Sequence, residues 1–353
     1  MAESLSAELP INDLLENPAQ FLLMERGLAE SGRLSMVSHL ITQARSRHAG
    51  MALWDATIRQ AVAHLIPAFH GGMLRDSQRN AVYRTALETL APGRTVLDIG
   101  TGSGLLAMMA VRAGAKRVYA CEANPVLAAA AKEVIAANGM ADAIMVFAKS
   151  SVELDPKVDL DGGVDLIVSE LIADDMLSES LLPSLNDASR RLCQEGGLFL
   201  PGKAWVQVAL GEYADLPVAT SEVEGFDLSL CAQLLPHRVG IRPDNPKLNL
   251  RSSSAALFSF DYAPGLIHRP TDSSAASVTC FGGHANVIAQ WIGFEFAPGL
   301  RYENSPGSAA DMHWRIQLTP IPGIMLEEGQ SVEIEGLRDQ LGMVIGPIRP
   351  SSC

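Results

Sequence analysis

The residues best placed to do chemistry form a glycine-rich turn that follows an apolar run, Val96-Leu97-Asp98-Ile99-Gly100-Thr101-Gly102-Ser103-Gly104. Glycine lets a backbone pass close to a ligand, and the N-terminus of a following helix offers unpaired N–H groups. The pattern therefore predicts a strand, a tight turn and a helix that together bind a nucleoside-containing cofactor. The candidate residues here are Asp98, Gly100, Gly102 and Gly104.

A second candidate, Glu122, ends the next apolar run, RVYACE, about eighteen residues after the turn. An acid at that position can accept hydrogen bonds from both hydroxyls of a ribose. The turn reads GxGxG, not the GxGxxG with which dinucleotide enzymes approach a pyrophosphate. We therefore expect S-adenosyl-L-methionine as the cofactor in preference to NAD.

Two glutamates, Glu170 and Glu179, bound the segment SELIADDMLSE, which follows the apolar run VDLIV. Glu170 stands at the carboxyl end of a predicted strand, where open α/β sheets bind their ligands. Each carboxylate could accept a forked pair of N–H bonds from a guanidinium, which is planar and permanently charged. On these residues alone, a capping acid and a solvated helix face are an equally good interpretation.

The elements that must position these residues alternate in type between residues 94 and 200. Short apolar runs are followed by longer amphipathic ones, which predicts a doubly wound α/β domain with a mostly parallel sheet. Upstream, residues 1–60 predict a helical extension with Pro18 as an early interruption, and Asp76 is expected to cap a helix over residues 77–90.

After residue 201 the pattern changes to short β-like runs separated by Gly, Pro, Ser and Asn, which is typical of an antiparallel sandwich or barrel. Residues 212–250 break this rhythm and predict a helical or irregular insertion. We therefore expect a helical extension over 1–60, a cofactor-binding domain over 61–200 and a β domain over 201–353.

Composition narrows the function classes. The 353 residues carry a formal net charge of −13, which argues against a general nucleic-acid-binding surface and favours a basic partner. No apolar run approaches the length of a membrane span, and the N-terminus MAESLSAELP lacks the features of a secretion signal. Five widely spaced cysteines without a CxxC pair indicate neither a zinc site nor a disulfide framework, so we expect a cytoplasmic protein that holds no metal.

Four segments in order resemble motifs of the protein arginine methyltransferases. They are HGGMLRDSQRN at residues 70–80, VLDIGTGSGLLAMMAVRAGAKRVYACE at residues 96–122, SELIADDMLSE at residues 169–179 and Met312-His313-Trp314. Details of the glycine turn and of the residues around the other motifs are most similar to the type III branch, which forms monomethylarginine. The resemblance covers about residues 65–350.

That resemblance implies a Rossmann-like S-adenosylmethionine-dependent methyltransferase domain followed by a β-barrel domain, with an inserted arm at about 212–250 that forms a homodimer. It also implies roles for single residues. On the cofactor side, Glu122 would bind the ribose, Arg79 would bind the cofactor carboxylate, and Met73 would line the methyl-transfer side. On the substrate side, Glu170 and Glu179 would bind the guanidinium. Asp76 and His313 would form an acid–histidine pair.

The sequence departs from the family pattern where an acid often contacts the adenine amino group. The chain reads Lys149-Ser150-Ser151-Val152-Glu153 there, and Ser151 is our candidate, with Ser150 and Glu153 as alternatives. The leading hypothesis is an S-adenosylmethionine-dependent methyltransferase acting on arginine in protein substrates. The alternatives are a methyltransferase of a small guanidino compound and a non-catalytic dimeric scaffold of the same fold.

Overall fold

The computed structural model describes residues 15–67, 69–216, 222–234 and 238–350. Three helices come first: α1 Pro18–Glu30, α2 Leu34–Arg47 and α3 Ala52–Val62. The expectation that Pro18 interrupts a helix is wrong, because Pro18 is the first residue of α1 and Asn17 caps it. Proline suits this position, since a first-turn N–H has no partner within the helix.

Helices α4 Phe69–Arg75 and α5 Ser77–Leu90 lead from this extension into the first sheet. Asp76 lies between them and caps α5, with Oδ1 accepting a hydrogen bond from the Arg79 N–H at 2.8 Å. The predicted helix and its cap are confirmed. Asp76 is fully buried, so this cap also places a carboxylate inside the molecule.

The first sheet is parallel and has five strands in the order β3-β2-β1-β4-β5. This confirms the predicted Rossmann-like sheet. Strands β2 and β3 lie on one side of β1, and β4 and β5 lie on the other side. The carboxyl ends of β1, β2 and β4 therefore form the edge where such sheets bind ligands. The strands are β1 Thr95–Ile99, β2 Arg117–Cys121, β3 Ile144–Phe147, β4 Val164–Ser169 and β5 Cys193–Leu200, and the helices between them are α6 Leu105–Arg112, α7 Pro125–Ala137 and α8 Leu181–Arg191, with a 3₁₀ turn at Ser151–Glu153.

The second sheet is antiparallel and has eight strands, consistent with a barrel-type domain. Two strands are longer than expected, because sequence runs that we separated form single bent strands with β-bulges. One apolar core extends through both sheets. The strands are β6 Lys203–Tyr213, β9 Val239–Ile241, β10 Leu248–Leu250, β11 Ala255–Asp261, β12 Asp272–Ala297, β13 Leu300–Glu303, β14 Ile316–Arg338 and β15 Met343–Pro350.

The predicted insertion leaves the sheet after β6. It contains a small hairpin, β7 Glu222–Val223 with β8 Phe226–Asp227, and the short helix α9 Ser229–Leu234. The chain then rejoins the sheet, since β9 pairs with β14 and β10 pairs with β6. Residues 217–221 and 235–237 of the insertion lie outside the described residues.

Within the described ranges, none of the helices combines the length and the apolar character needed to cross a membrane.

Candidate functional site

The glycine turn and Glu122 are joined directly by hydrogen bonds. The Gly102 N–H donates to Glu122 Oε2 at 3.0 Å, and the Asn124 N–H donates to Oε1 at 2.9 Å. Gly100 has a φ of +73°, and a Cβ atom there would lie only 2.5 Å from the Leu171 side chain. The turn thus requires glycine and fixes the Glu122 carboxylate, whose oxygens keep further acceptor capacity.

Asp98 lies beneath the turn. Its Oδ2 accepts hydrogen bonds from the Thr101 hydroxyl at 2.6 Å and the Ala107 N–H at 3.1 Å. Burial raises the pKa of Asp98 to about 6, although these hydrogen bonds act in the opposite direction. Asp98 does not line the neighbouring cavity, so in the structure it holds the turn against α6.

A cavity of about 480 Å³ opens at the carboxyl edge of the parallel sheet. This volume falls within the range of small-molecule sites and fits a nucleoside cofactor. Gly104 and Arg79 lie outside its lining. Those of our candidate residues that line it are Met73, Gly100, Gly102, Glu122, Ser150, Ser151, Glu170 and Glu179.

The three candidates for contact with the adenine differ in where their side chains lie. Glu153 Oε2 accepts a hydrogen bond from the Ser150 N–H at 2.8 Å, as part of a capping box, and Glu153 does not line the cavity. Ser150 and Ser151 both line it, and Ser151 is 3% exposed. The geometry therefore favours the serines over the glutamate.

Arg79 is buried beside the cavity and contacts Glu170. Its Nη2 lies 3.2 Å from Glu170 Oε2, and its Nη1 donates to Asn80 Oδ1 at 2.8 Å. Its guanidinium stacks over the Tyr83 ring, with 4.8 Å from Cζ to the ring centroid. The assignment of Arg79 to the cofactor carboxylate stays a prediction. The structure shows in addition that Arg79 is paired with Glu170.

His313 lies between two carboxylates. Its Nδ1 is 3.0 Å from Asp76 Oδ2, and its Nε2 is 3.6 Å from Glu170 Oε1. Burial lowers the pKa of His313, but its contacts with Asp76 and Glu170 outweigh burial and the net pKa is raised. The Tyr302 hydroxyl donates to the same Asp76 oxygen at 2.7 Å. Asp76 and His313 are therefore in contact, as the resemblance implies, and His313 also contacts Glu170, at the start of the loop that ends at Glu179.

Glu179 differs from Glu170 because no described residue forms a hydrogen bond or ion pair with its carboxyl group. Burial, followed by the nearby charge of Glu170, raises the pKa of Glu179 to about 7. A cation placed beside it would stabilise the ionised carboxylate and so oppose both causes of the raised pKa. One glutamate of the pair is thus held by cationic partners, and the other is open to a ligand.

The loop that carries both glutamates is fixed from the antiparallel sheet. The Trp314 indole N–H donates to the Ile172 carbonyl at 2.8 Å, and the Arg315 N–H donates to Asp174 Oδ1 at 2.7 Å. Gln317 also donates to Asp174, at 3.2 Å. Asp174 thus fastens this loop to the antiparallel sheet.

Sequence reasoning assigned no role to His70 or Tyr302. His70 lines the cofactor cavity, and its ring lies within 4 Å of where a Cβ on Gly102 would stand. Burial lowers the pKa of His70. His70 stood inside a motif that we quoted, so a signal existed; Tyr302 reaches Asp76 across 226 positions, and no local pattern indicates that contact.

The fold and the cavity, together with the similarities that follow, define the class: an S-adenosylmethionine-dependent methyltransferase. The family model "Ribosomal protein L11 methyltransferase (PrmA)" matches residues 84–202, which contain the parallel sheet. The arginine N(omega)-methyltransferase of Streptomyces achromogenes subsp. streptozoticus is 38% identical over 261 residues, which is 72% of each chain. The chain belongs to the arginine N-methyltransferase family, as its motifs predicted.

Two further likenesses agree with this assignment. Protein arginine N-methyltransferase 7 of Oryza sativa subsp. japonica is 30% identical over 313 residues, which is 76% of this chain but 43% of the rice protein. The solved PRMT1 enzyme–prozyme heterotetrameric complex of Trypanosoma brucei with AdoHcy superposes with a TM-score of 0.69 at 21% identity, covering 80% of this chain and 98% of that one. The latter identity is low, so that comparison supports the fold.

Proposed function

We propose that this protein transfers a methyl group from S-adenosylmethionine to a guanidino nitrogen of arginine, with protein segments as the leading substrate class. The observation that carries the proposal is the pair Glu170 and Glu179, which line one cavity with the glycine turn while Glu179 lacks a partner among the described residues. A half-buried carboxyl with a raised pKa and open acceptor atoms is a binding or catalytic candidate.

Glu122 would hold the ribose hydroxyls with the acceptor capacity that its backbone hydrogen bonds leave free. Ser151 would face the adenine, Met73 would lie on the methyl-transfer side, and Arg79 would bind the cofactor's carboxylate. When bound, the cofactor supplies an electrophilic methyl group on a sulfonium.

Glu170 and Glu179 would clamp the substrate guanidinium, which distributes one positive charge over three nitrogens. Two fixed carboxylates bias that charge toward the nitrogens they contact and orient the remaining nitrogen toward the methyl group. Positioning and electrostatics of this kind supply large parts of enzymatic rate accelerations. The His313 contact, at 3.6 Å, and the Arg79 contact, at 3.2 Å, would hold Glu170 in place for this purpose.

Glu179 is the better candidate for accepting the proton that the methylated nitrogen sheds. His313, between Asp76 and Glu170, has a raised pKa and therefore keeps its own proton more tightly. A general base works best when its pKa lies near the working pH, and the pKa of Glu179 is about 7. We assign the Asp76–His313 pair to positioning of Glu170.

Incubation of the purified protein with methyl-labelled cofactor would separate the functional hypotheses. Labelled methylarginine in a peptide supports the leading proposal, and labelled free methylarginine supports the small-compound alternative. The relative from Streptomyces is named for arginine itself, which keeps that alternative open. Cofactor binding without labelled product from either substrate would leave the scaffold hypothesis.

We also propose that the protein is a cytoplasmic homodimer and that its product is monomethylarginine. The antiparallel sheet would form a β-barrel domain that supports the site. The insertion exposes Phe226 and Leu230, with 70% and 79% of their surfaces accessible, as a self-associating face would. Cys121, Cys193, Cys231 and Cys280, which are the cysteines in the described ranges, form no disulfide, as suits a reducing compartment.

A further inference from the structure

A second cavity, of about 1090 Å³, adjoins the cofactor cavity and shares Glu170 and Glu179 with it. We call it the outer cavity. Its other walls come from α4, the loop between Glu170 and Glu179, the chain on either side of β9, and the start of β14 with the segment before it. Four arginines line it, namely Arg75, Arg238, Arg242 and Arg315.

This concentration of arginine is unexpected in a chain of net charge −13 whose proposed target is itself a guanidinium. Strands β9 and β14 are paired with Ile241 opposite Ile316, and continuing that antiparallel register sets Arg242 across from Arg315. Like charges directly opposite each other destabilise a sheet. Asp244 offsets the charge of Arg242, so an anion bound at this edge would interact chiefly with Arg315.

Two of the four arginines keep their guanidinium donors free within the described part of the chain, although the charge of Arg315 also acts on Asp174. The side chains of Arg75 and Arg315 form no hydrogen bond or ion pair with any part of the chain that the structure describes, and both residues are exposed. Arg238 lies 3.8 Å from Asp175, and Arg242 is paired with Asp244 and with the Ala310 carbonyl.

The acids of the outer cavity are engaged, apart from Glu179. Asp174 accepts hydrogen bonds from the Arg315 N–H and from Gln317. Asp175 accepts from two loop N–H groups, and Asp311 accepts from the Ser77 hydroxyl. Apart from Glu179, the acids of this cavity thus have hydrogen-bond partners of their own, whereas the guanidinium donors of Arg75 and Arg315 remain open to a ligand.

We propose that the outer cavity binds a carboxylate carried by the same substrate molecule as the guanidino group, with Arg75 and Arg315 as its ligands. This deepens the proposed function and rests on Glu170 and Glu179 as the guanidinium site. Arginine suits the task, because its planar fork matches a carboxylate with two hydrogen bonds. The carboxylate has two possible sources: the α-carboxylate of free arginine, or an acidic side chain beside the target arginine of a polypeptide.

The test uses matched pairs of substrates with the full-length protein. L-arginine is compared with agmatine, which lacks the carboxylate, and a peptide with aspartates flanking one arginine is compared with its glycine-flanked counterpart. Both kcat/KM and binding to protein loaded with S-adenosylhomocysteine are measured. We expect about a tenfold or greater advantage for one carboxylate-bearing member, the scale of a hydrogen bond to a charged group.

Arg75→Gln and Arg315→Gln should remove most of that advantage, chiefly through KM, and should affect the partner without a carboxylate much less. Arg269→Gln is the matched control, because Arg269 is also exposed and lines neither cavity. A preference for L-arginine identifies the α-carboxylate as the source, and a preference for the aspartate peptide identifies the side chain.

Equal binding and turnover within both pairs, or a preference that survives both substitutions, would overturn the inference. The binding arm separates this outcome from failure of the proposed function. If L-arginine or the aspartate peptide binds with the expected dependence on Arg75 and Arg315 but acquires no methyl group, the carboxylate site stands and methyl transfer to that substrate does not.

Discussion

Arg79 and Glu170 form a buried ion pair, with 3.2 Å between Nη2 and Oε2 and side chains that are 2% and 7% exposed. The pair joins the two halves of the proposed site, since Arg79 is the proposed ligand of the cofactor carboxylate and Glu170 is a proposed ligand of the substrate guanidinium. Removing one member of a buried pair leaves the other charge uncompensated. Substitutions at Glu170 therefore also disturb Arg79, whereas Glu179 has no hydrogen-bond or ion-pair partner among the described residues to disturb.

Loss of the Glu122 carboxylate should weaken cofactor binding. Glu122→Ala removes the proposed ribose acceptor and also releases the Gly102 and Asn124 N–H groups from their partner. We expect a loss of about 1–3 kcal/mol, the scale of a buried polar contact left unsatisfied. Calorimetric titration with S-adenosylhomocysteine measures it, and Glu88→Ala, an exposed acid on α5, is the control. Affinity equal to that of the wild type would remove Glu122 from the cofactor site.

Neutralising the glutamates should impair methyl transfer far more than cofactor binding. Glu170→Gln and Glu179→Gln keep side-chain size but remove the charge that orients the guanidinium, so we expect roughly a hundredfold or greater loss in single-turnover rate. Asp174→Asn on the same loop should be milder, because an asparagine oxygen can still accept from the Arg315 N–H. Near-normal rates in both glutamine variants would contradict the arginine proposal even with the cofactor site established.

The pH dependence of transfer should report Glu179. Its pKa of about 7 predicts that kcat/KM rises as the pH increases through neutrality, because the ionised carboxylate is the form that binds the guanidinium and accepts a proton. Asp174→Asn should retain this rising limb, whereas Glu179→Gln should flatten it. A limb that persists unchanged in Glu179→Gln would assign the titration to another group.

Much of the cofactor half of this site follows from local sequence, because the strand, the glycine turn and Glu122 lie within about thirty residues. The motif implies the positive φ that requires glycine at position 100, whereas the close approach of Leu171 comes from a distant segment. The bounds of the α5 helix were also predictable from its cap. Features of this kind can be predicted from a short stretch of sequence because neighbouring residues alone produce them.

The substrate half depends on contacts between distant segments. Tyr302 and His313 meet Asp76 only because the antiparallel sheet packs against the first one, and Asp174 fastens its loop through a backbone N–H of Arg315. Backbone donors leave no residue-type signal in a sequence. The long strands β12 and β14 were divided in our prediction for a related reason, since β-bulges interrupt the alternation of side chains without ending the strand.

Self-association should depend on the apolar face of the insertion. Phe226→Ser with Leu230→Ser replaces two highly exposed apolar side chains, so the proposed homodimer should dissociate as its buried apolar area is lost. Light scattering over a concentration series measures the mass. Leu23→Ser on α1 is the control, because Leu23 is 75% exposed and lies on another element. A wild-type protein that is monomeric at all concentrations would exclude the homodimer.

Glu179→Gln should stabilise the protein above neutral pH while impairing its activity. The pKa of Glu179 is raised from 4.5 to about 7 in the folded state, so folding favours its protonated form. The contribution of this group to stability is fully present below pH 4.5 and is lost as the pH rises through about 7.

The variant and the wild type should therefore unfold alike at pH 4, whereas at pH 8 the variant should be more stable by about 1–3 kcal/mol, an amount reduced by the partial exposure of the group. Urea unfolding of the cofactor-free protein at the two pH values measures the difference. Glu88→Gln, which changes an exposed acid, should leave the free energy of unfolding nearly unchanged at both. A Glu179→Gln variant that is equally stable or less stable than the wild type at pH 8 would mean that the carboxyl group has a partner or solvent access in the folded protein. The raised pKa of Glu179, on which the general-base assignment rests, would then be wrong.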